Sequence, residues 1–317
     1  MLKTKIAISS WGNIGQAIAL IHEEEAARDP NHDMELVGII RRSAKAEDGG
    51  YPKGVAVVSD VNALKSRPDV ILCAAPSHTV MEDVEKYLKL GFCTVDCFDN
   101  HKEINPWRER LNLLVEKNAP GAKAVSIISS GWDPGFDSIQ RALAGLVAPG
   151  GEVVTTFGPG RSMGHTTTVK SLHPDIREAV ALTLPGAKPG LQKREVYIQL
   201  NDALAGKDVQ EKITKSILAH PYFKNDDSHV FFTQSIAPHD TKSHGGVITC
   251  KAGKAEVSVK LHGDNPAMTA GAMYASARAA KRAKDSGRYG CFTMVELTPI
   301  DFIKGDTIAQ RLARIKY

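Results

Sequence analysis

Apolar positions in the first 130 residues alternate between short continuous runs and stretches with helical spacing. The runs predict six strands, at 5–10, 35–40, 54–60, 69–76, 93–99 and 124–130. Apolar residues spaced three and four apart predict helices at 13–25 and 78–90, and the pair Asn105-Pro106 predicts the start of another. Strands that alternate with helices are typical of a doubly wound parallel sheet, so we predict an α/β domain over 1–130.

The pattern changes after about residue 150. Strand-like runs at 153–157, 194–200, 229–236, 247–251 and 255–262 are accompanied by only one or two helical stretches. This pattern predicts an α+β domain with a mostly antiparallel sheet over 131–265, with a loop at 186–191. An Ala-rich helix at 268–284 follows, and we expect the segment 266–317 to return to the first domain.

Composition and charge exclude several classes of function. The 317 residues include 40 basic and 36 acidic side chains, and the basic residues are scattered, which argues against a nucleic-acid partner. The apolar run at 6–8 is too short for a signal sequence or a membrane span, so we expect a cytoplasmic protein. The five cysteines show no paired zinc spacing, which favours reduced thiols and predicts no metal site.

A glycine-containing turn follows the first predicted strand and opens the first predicted helix. Its residues are predicted to bind the phosphates of a dinucleotide in a Rossmann domain: Ser10, Trp11, Gly12, Asn13, Ile14 and Gly15. Serine stands where such turns usually carry their first glycine, and its side chain either crowds the turn or donates to a phosphate. The alternative is an ordinary strand–helix turn.

The end of the second predicted strand indicates which dinucleotide binds. A site for NAD carries a carboxylate there, whereas this chain has Arg41 and Arg42. Paired guanidinium groups suit a 2′-phosphate, so NADP is the predicted cofactor, and the alternative is a solvated basic loop. Small residues after the fourth strand would permit close approach of the cofactor, at Ala74, Ala75, Pro76 and Ser77.

Acidic side chains lie at the ends of two further predicted strands. Asp96 and Asp99 end one of them, and Asp133 follows the other. Ligands of such sheets bind beyond the carboxyl ends of the strands, where carboxylates can bind an ammonium group and accept a proton from it. Each aspartate taken singly is also common as a helix cap or turn residue.

Several motifs in sequential order resemble one family. They are 94–101, 130–135, 157–160, 162–165, 193–194, 244–246 and 265–266, and together they resemble meso-diaminopimelate dehydrogenase over almost the whole chain. Phe157, Met163 and the shorter stretch after Thr183 are similar to the branch with broader D-amino-acid reactivity. Residues 166–168, Thr-Thr-Thr, depart from the familiar members.

The resemblance implies roles for individual residues. Asp96 and Asp133 would face the amine of the D-centre, with Asp99 nearby and Trp132 as a wall. The remaining predicted contacts are Phe157 and Met163 near the reacting end, and Thr183, Arg194, His244 and Asn265 at the carboxylates and the far L-amino-acid end.

The resemblance also implies the reaction. It would be the NADP-dependent oxidative deamination of meso-diaminopimelate to L-2-amino-6-oxopimelate and ammonia, reversible towards lysine and peptidoglycan precursors. We also expect a homo-oligomer, either a homodimer or an assembly of dimers. The alternatives are a D-amino-acid dehydrogenase of broader range, dihydrodipicolinate reductase or a sugar dehydrogenase, and a non-catalytic NADP-binding regulator. The acidic strand ends argue against the regulator, which has no need to bind an amine.

Overall fold

The computed structural model describes residues 3–42, 50–188, 190–202, 206–241 and 243–316. The chain divides into two compact units, one formed by 1–139 with 266–317 and the other by 140–265. The helix α4 (Phe136–Val147) contains the first boundary, and the helix α7 (Asn265–Asp285) begins at the second. Among the described residues, no helix has the length and apolar character needed to cross a bilayer.

Unit 1 is built on a parallel sheet with the strand order β14-β6-β5-β4-β1-β2-β3. Its strands are β1 (Thr4–Ser9), β2 (Met34–Ile40), β3 (Val57–Val58), β4 (Val70–Cys73), β5 (Cys93–Asp96), β6 (Val125–Ile128) and β14 (Gly290–Thr293). The chain passes from β1 to β2 on one side and reaches β4 on the other, so the strand order reverses beside β1. Ligands of open α/β sheets bind at such a reversal, beyond the carboxyl ends of the strands.

Helices supply the rest of the core of unit 1. They are α1 (Asn13–Arg28), α2 (Ser77–Lys89), α3 (Ile104–Lys117) and α7, whereas α8 (Ile308–Arg314) lies outside the core cluster. The inner strands β4, β5 and β6 are buried along their whole length, because parallel sheets are covered on both faces. Ile18 of α1, Leu88 of α2, Leu111 of α3 and Met273 of α7 are completely buried in the same core.

Unit 2 contains two smaller sheets, with the orders β11-β10-β9-β8 and β13-β12-β7. Their strands are β7 (Glu152–Phe157), β8 (Gly160–Arg161), β9 (Ile176–Pro185), β10 (Gln192–Leu200), β11 (Asp227–Phe232), β12 (Ser243–Ala252) and β13 (Ala255–Asp264). Two helices lie between them in sequence, α5 (Met163–Ser171) and α6 (Lys207–Ala219). All strand pairs are antiparallel except β10 with β11, and the two units together confirm the predicted fold class.

The structure corrects several predicted elements. The predicted strand at 54–60 is reduced to Val57–Val58, because Gly54 takes a φ of 81° and the chain before the strand forms a turn. The predicted strand at 229–236 ends at Phe232. The strand β9 was not predicted, since its buried alanines Ala179 and Ala181 are weak strand formers and only tertiary packing selects them.

Candidate active site

The turn after β1 is shaped by close packing of a helix on a strand. A Cβ atom added to Gly15 would lie 2.5 Å from the carbonyl oxygen of Ser10, so only glycine allows α1 to approach there. Ser10 itself has a φ of 80°, in the left-handed region that glycine adopts most easily. The first position of the turn therefore has a left-handed backbone conformation although serine, not glycine, occupies it.

The N-terminal end of α1 offers hydrogen-bond donors to an anion. Gly12 is the N-cap residue, and among the described residues no side chain caps the first turn. A Cβ atom on Gly12 would meet nothing within 4 Å, so the space beside it is open. Uncapped N–H groups and the helix dipole both favour phosphate at this position, and these residues fit the pyrophosphate of a dinucleotide.

The two arginines after β2 differ in their surroundings. Arg41 is half-buried and donates from Nη1 to the hydroxyl group of Tyr51, whose ring lies 5.1 Å from that of Trp11. Arg42 is exposed, and its charge lowers the pKa of Asp83, which burial raises by more. The structure thus places two guanidinium groups directly after β2, where a 2′-phosphate is predicted.

The segment after β4 links the predicted cofactor turn to one of the acidic residues. Ala74 and Ala75 are buried, and Pro76 is the N-cap of α2. Ser77 donates from Oγ to the carboxylate of Asp99 at 2.6 Å and accepts from the Asp99 N–H at 3.2 Å. Asp99 is therefore an exposed residue that is tied to Ser77.

Asp96 lies at the end of β5 with no exposed surface. Its Oδ1 accepts hydrogen bonds from the N–H groups of Phe98 at 2.9 Å and Ser129 at 3.0 Å. Its Oδ2 is buried and has no hydrogen-bond partner among the described residues. Burial raises the pKa of Asp96 to about 6, and the two backbone hydrogen bonds oppose that rise.

The loop that carries Trp132 and Asp133 is held by its own backbone. The N–H of Gly131 donates to the carbonyl of Pro134 at 3.0 Å, and Gly135 has no room for a Cβ atom because the carbonyl oxygen of Gly131 would lie 2.4 Å away. The Asp133 side chain is 19% exposed, and its Oδ1 lies 3.9 Å from Nε2 of His101. Asp133 is thus the predicted carboxylate that is both partly sheltered and open to solvent.

In unit 2 the antiparallel register places Thr183 of β9 directly opposite Arg194 of β10. Both residues are buried, and Arg194 donates from Nη1 to the hydroxyl group of Thr183. On its other side Thr183 is paired with Gly160 of β8, which completes a row across three strands. A hydroxyl group and a guanidinium group on neighbouring strands are well suited to a carboxylate ligand.

His244 of β12 lies close to this row because Gly160 of β8 has no side chain. A Cβ atom on Gly160 would lie 2.5 Å from the Cα of His244, so the absence of a side chain allows β12 to approach β8. Burial lowers the pKa of His244 to about 4, and the charges of Arg194 and His262 lower it further. His244 is therefore neutral at physiological pH, and Arg194 and Asp226 are the charged residues of this cluster.

Three predicted substrate contacts occupy the ends of secondary-structure elements. Phe157 is the last residue of β7 and is paired with Gly246, Met163 is the first residue of α5, and Asn265 is the first residue of α7. All three are half-buried.

The structure adds Asp226, Gln192 and His165 to the surroundings of Arg194, and the sequence analysis assigned none of them to the substrate site. Arg194 also donates from Nε to Asp226 at 2.7 Å and from Nη2 to the side-chain oxygen of Gln192. His165 donates from Nε2 to the carbonyl of Tyr222 at 3.1 Å, so its Nδ1 accepts from Ser162 at 2.7 Å, and burial lowers its pKa to about 4. The motif at 162–165 pointed to His165, whereas nothing in the sequence links Asp226 to Arg194.

Known proteins resemble this chain over almost its full length. Residues 131–262 match the family described as diaminopimelic acid dehydrogenase C-terminal domain. The meso-diaminopimelate D-dehydrogenase of Bacteroides fragilis is 35% identical over 311 residues, covering 96% of this chain and 97% of the relative. The chain belongs to the meso-diaminopimelate D-dehydrogenase family. The enzyme of that name from Corynebacterium glutamicum is 32% identical, with 94% and 95% of the two chains covered.

Solved structures of this family agree with the fold. The diaminopimelate dehydrogenase of C. glutamicum in complex with diaminopimelate superposes with a TM-score of 0.81 at 30% identity, covering 99% of both chains. An engineered D-amino acid dehydrogenase bound to NADP+ superposes with a TM-score of 0.75 at 28% identity, covering 98% of this chain and 99% of its own. The predicted family is confirmed, and the dinucleotide bound to this relative agrees with the cofactor predicted from Arg41 and Arg42.

Proposed function

We propose that this chain is an NADP-dependent amino-acid dehydrogenase that deaminates the D-centre of meso-diaminopimelate. The overall reaction converts the amino acid, NADP+ and water into L-2-amino-6-oxopimelate, ammonium, NADPH and a proton. The observation that carries the proposal is the similarity to dehydrogenases of this name over 96% of the chain. The reverse reaction would supply meso-diaminopimelate for lysine and peptidoglycan.

The cofactor would be held by residues of unit 1. The turn from Ser10 to Gly15 and the N-terminal end of α1 would bind the pyrophosphate, and Arg41 and Arg42 would bind the 2′-phosphate. When bound, NADP+ accepts the hydride from the Cα atom of the substrate.

Asp133 is the best-placed carboxylate to accept the proton released from the amine. Its side chain is 19% exposed, whereas Asp96 has no exposed surface and its Oδ1 accepts from the N–H groups of Phe98 and Ser129. Asp96 would shape the loop of Asp133, since the Asp96 carbonyl accepts from Ser130 at 2.6 Å and its carboxylate accepts from Ser129. Loss of the Cα hydride and of the amine proton would leave an imine. Water would then hydrolyse this imine to the oxo acid and ammonia.

The arginine cluster of unit 2 would bind a carboxylate of the substrate. Among the described residues, Nη1 and Nη2 of Arg194 each make one hydrogen bond, and the second N–H of each nitrogen suits a two-pronged carboxylate contact. Thr183 and neutral His244 add hydrogen-bonding groups without adding charge. These residue types suit the carboxylate at the far end of meso-diaminopimelate.

The test is an NADP+ reduction assay with meso-, LL- and DD-diaminopimelate, with Asp133→Ala as the inactive variant. We expect turnover with the meso isomer, less with the DD isomer, which lacks the L-centre, and little with the LL isomer, which lacks the D-centre. For Asp133→Ala we expect a loss of at least about a hundredfold in kcat with cofactor binding retained. Absence of turnover with all three isomers contradicts the proposed reaction. A near-normal rate for the variant contradicts the role of Asp133 alone.

A D-amino-acid dehydrogenase of broader range is the second candidate. The similarity to an engineered D-amino acid dehydrogenase supports it. The same assay with D-alanine and D-phenylalanine separates the two candidates, because a narrow enzyme leaves them unreacted.

The predicted homo-oligomer is tested by light scattering, and the predicted cytoplasmic location by cell fractionation.

A further inference from the structure

The strongest feature that the proposed reaction leaves unexplained is a carboxylate beside the predicted carboxylate-binding arginine. Asp226 lies in the turn before β11, 32 residues from Arg194 in sequence, and accepts from Arg194 Nε at 2.7 Å. The Arg194 side chain is 9% exposed and that of Asp226 is 24% exposed, so solvent screens this ion pair less than a surface pair. Arg194, the residue predicted to bind a substrate carboxylate, is thus already paired with a carboxylate of the protein.

The position of Asp226 leaves the binding face of Arg194 intact. Asp226 uses Nε, while Thr183 and Gln192 use one N–H on Nη1 and Nη2 respectively. The three bonds fix the plane of the guanidinium group, and within the described part of the chain each terminal nitrogen has one N–H left for a ligand. Asp226 therefore neutralises the charge of Arg194 without competing for its remaining donors.

The surroundings provide little other compensation. Burial lowers the pKa values of His165 and His244, and the positive charge of Arg194 lowers them further, so both rings are neutral. Without a ligand, Asp226 is the carboxylate that contacts Arg194 directly. A buried cation without a counter-ion is costly, so a substrate lacking a carboxylate at this position would meet an unfavourable site if Asp226 were absent.

We propose that Asp226 is a specificity-determining counter-ion of Arg194, which lets the enzyme accept amino acids with and without a distal carboxylate. Its negative charge weakens the attraction of Arg194 for a distal carboxylate, and it stabilises Arg194 when the substrate has none. The proposal rests on the proposed function, since it assumes that Arg194 meets a substrate carboxylate.

The test compares Asp226→Asn with the wild type on two substrates. Asparagine keeps an oxygen that accepts from Nε and removes only the charge. We expect the ratio of kcat/KM for meso-diaminopimelate to kcat/KM for D-alanine to rise about tenfold, from the loss of one partly screened charge near the bound carboxylate. A ratio within twofold of wild type, or a lower one, overturns the proposal.

Two control variants separate a change of charge from a change of structure. Asp227→Asn alters the neighbouring exposed carboxylate, whose contact is His229 at 2.8 Å, and should leave the ratio unchanged. In an Arg194→Met background, Asp226→Asn should change the ratio less than it does in the wild type, because the part of the effect that acts through Arg194 is then absent. A loss of stability alone would lower both activities equally and would not move the ratio.

Binding without turnover keeps this proposal separate from the proposed reaction. If the wild type oxidises neither substrate, the proposed reaction is wrong, and calorimetric titration with meso-diaminopimelate still tests Asp226. If it oxidises meso-diaminopimelate but not D-alanine, the proposed reaction stands and the counter-ion proposal is wrong. We expect Asp226→Asn to bind meso-diaminopimelate about tenfold more tightly than the wild type. Equal or weaker binding contradicts the counter-ion role.

Discussion

Asp96 illustrates how a single buried carboxylate affects stability. Burial raises its pKa from 3.8 to about 6, so the folded protein holds this proton more tightly than the unfolded chain does. Between these two pKa values the folded state binds more protons, and the free energy of unfolding therefore falls as the pH rises through that window.

We therefore expect Asp96→Asn to change the pH dependence of stability. The free energy of unfolding of the variant, relative to wild type, should increase by about 2–3 kcal/mol between pH values near 4 and 7, because the variant has no carboxylate to ionise. His165 and His244 have lowered pKa values and the opposite pH dependence, but both proteins contain them and their contributions cancel. Urea denaturation at several pH values measures the difference, and a constant difference contradicts the prediction.

The arginines after β2 give a second prediction at the residue scale. Replacing Arg41 and Arg42 together by alanine should raise the KM for NADP+ at least about tenfold and leave the KM for NAD+ nearly unchanged, since only NADP+ carries the 2′-phosphate. Arg28→Ala, at an exposed position at the end of α1, is the control and should alter neither value. Equal shifts for both cofactors in the double variant would show that these residues do not recognise the 2′-phosphate.

At the scale of the element, the turn between β1 and α1 contains two glycines that are needed for different reasons. Gly15 is required by the fold, because a Cβ atom would lie 2.5 Å from Ser10 O and 3.3 Å from Ile8 Cγ2. Gly12 faces open space and is required only if a ligand approaches it. In this turn, therefore, Gly15 is needed for folding and Gly12 for ligand binding.

Two substitutions test this separation. Gly15→Ala should destabilise the protein by about 1–3 kcal/mol through overpacking, visible as a lower Tm without cofactor. Gly12→Ala should cost no more than about 1 kcal/mol, the usual penalty for alanine at an N-cap, but should weaken NADP+ binding at least about tenfold. Calorimetric binding together with thermal unfolding distinguishes them, and the same effect from both variants contradicts this interpretation.

At the scale of the whole molecule, unit 1 is assembled from both ends of the chain. The strand β14 pairs with β6, and α7 contributes Met273, Tyr274 and Ala277 to the main core. A buried charge network fixes α7 to the N-terminal part of the chain. Arg278 donates to both oxygens of Asp33 at 2.9–3.1 Å and to Glu25 at 2.7 Å.

Removing the arginine from this network should be costly. Arg278→Met retains most of the side-chain length but leaves the sheltered carboxylate of Asp33 without its partner, and we expect a loss of about 3–5 kcal/mol. Lys281→Ala, one turn further along α7, removes an exposed ion pair with Asp285 and should cost less than about 1 kcal/mol. Urea midpoints compare the two variants, and similar values would mean that the network stabilises unit 1 no more than a surface pair.

The sequence by itself determined the features that depend on neighbours along the chain. Alternating strands and helices define the doubly wound sheet because hydrophobic periodicity is a local pattern. The turn at Ser10–Gly15 and the pair Arg41 and Arg42 are likewise local, which is why a dinucleotide cofactor and its 2′-phosphate were predictable.

Only the tertiary structure decided how the acidic and basic residues differ from one another. Asp96, Asp99 and Asp133 look alike in sequence, yet one is completely buried, one is tied to Ser77 and one is partly exposed. Arg194 and Asp226 are brought together by the folding of unit 2, and their charges act through space rather than along the chain. Burial and charge pairing arise from packing between distant segments, so local patterns determined the framework and long-range contacts determined the chemistry of its side chains.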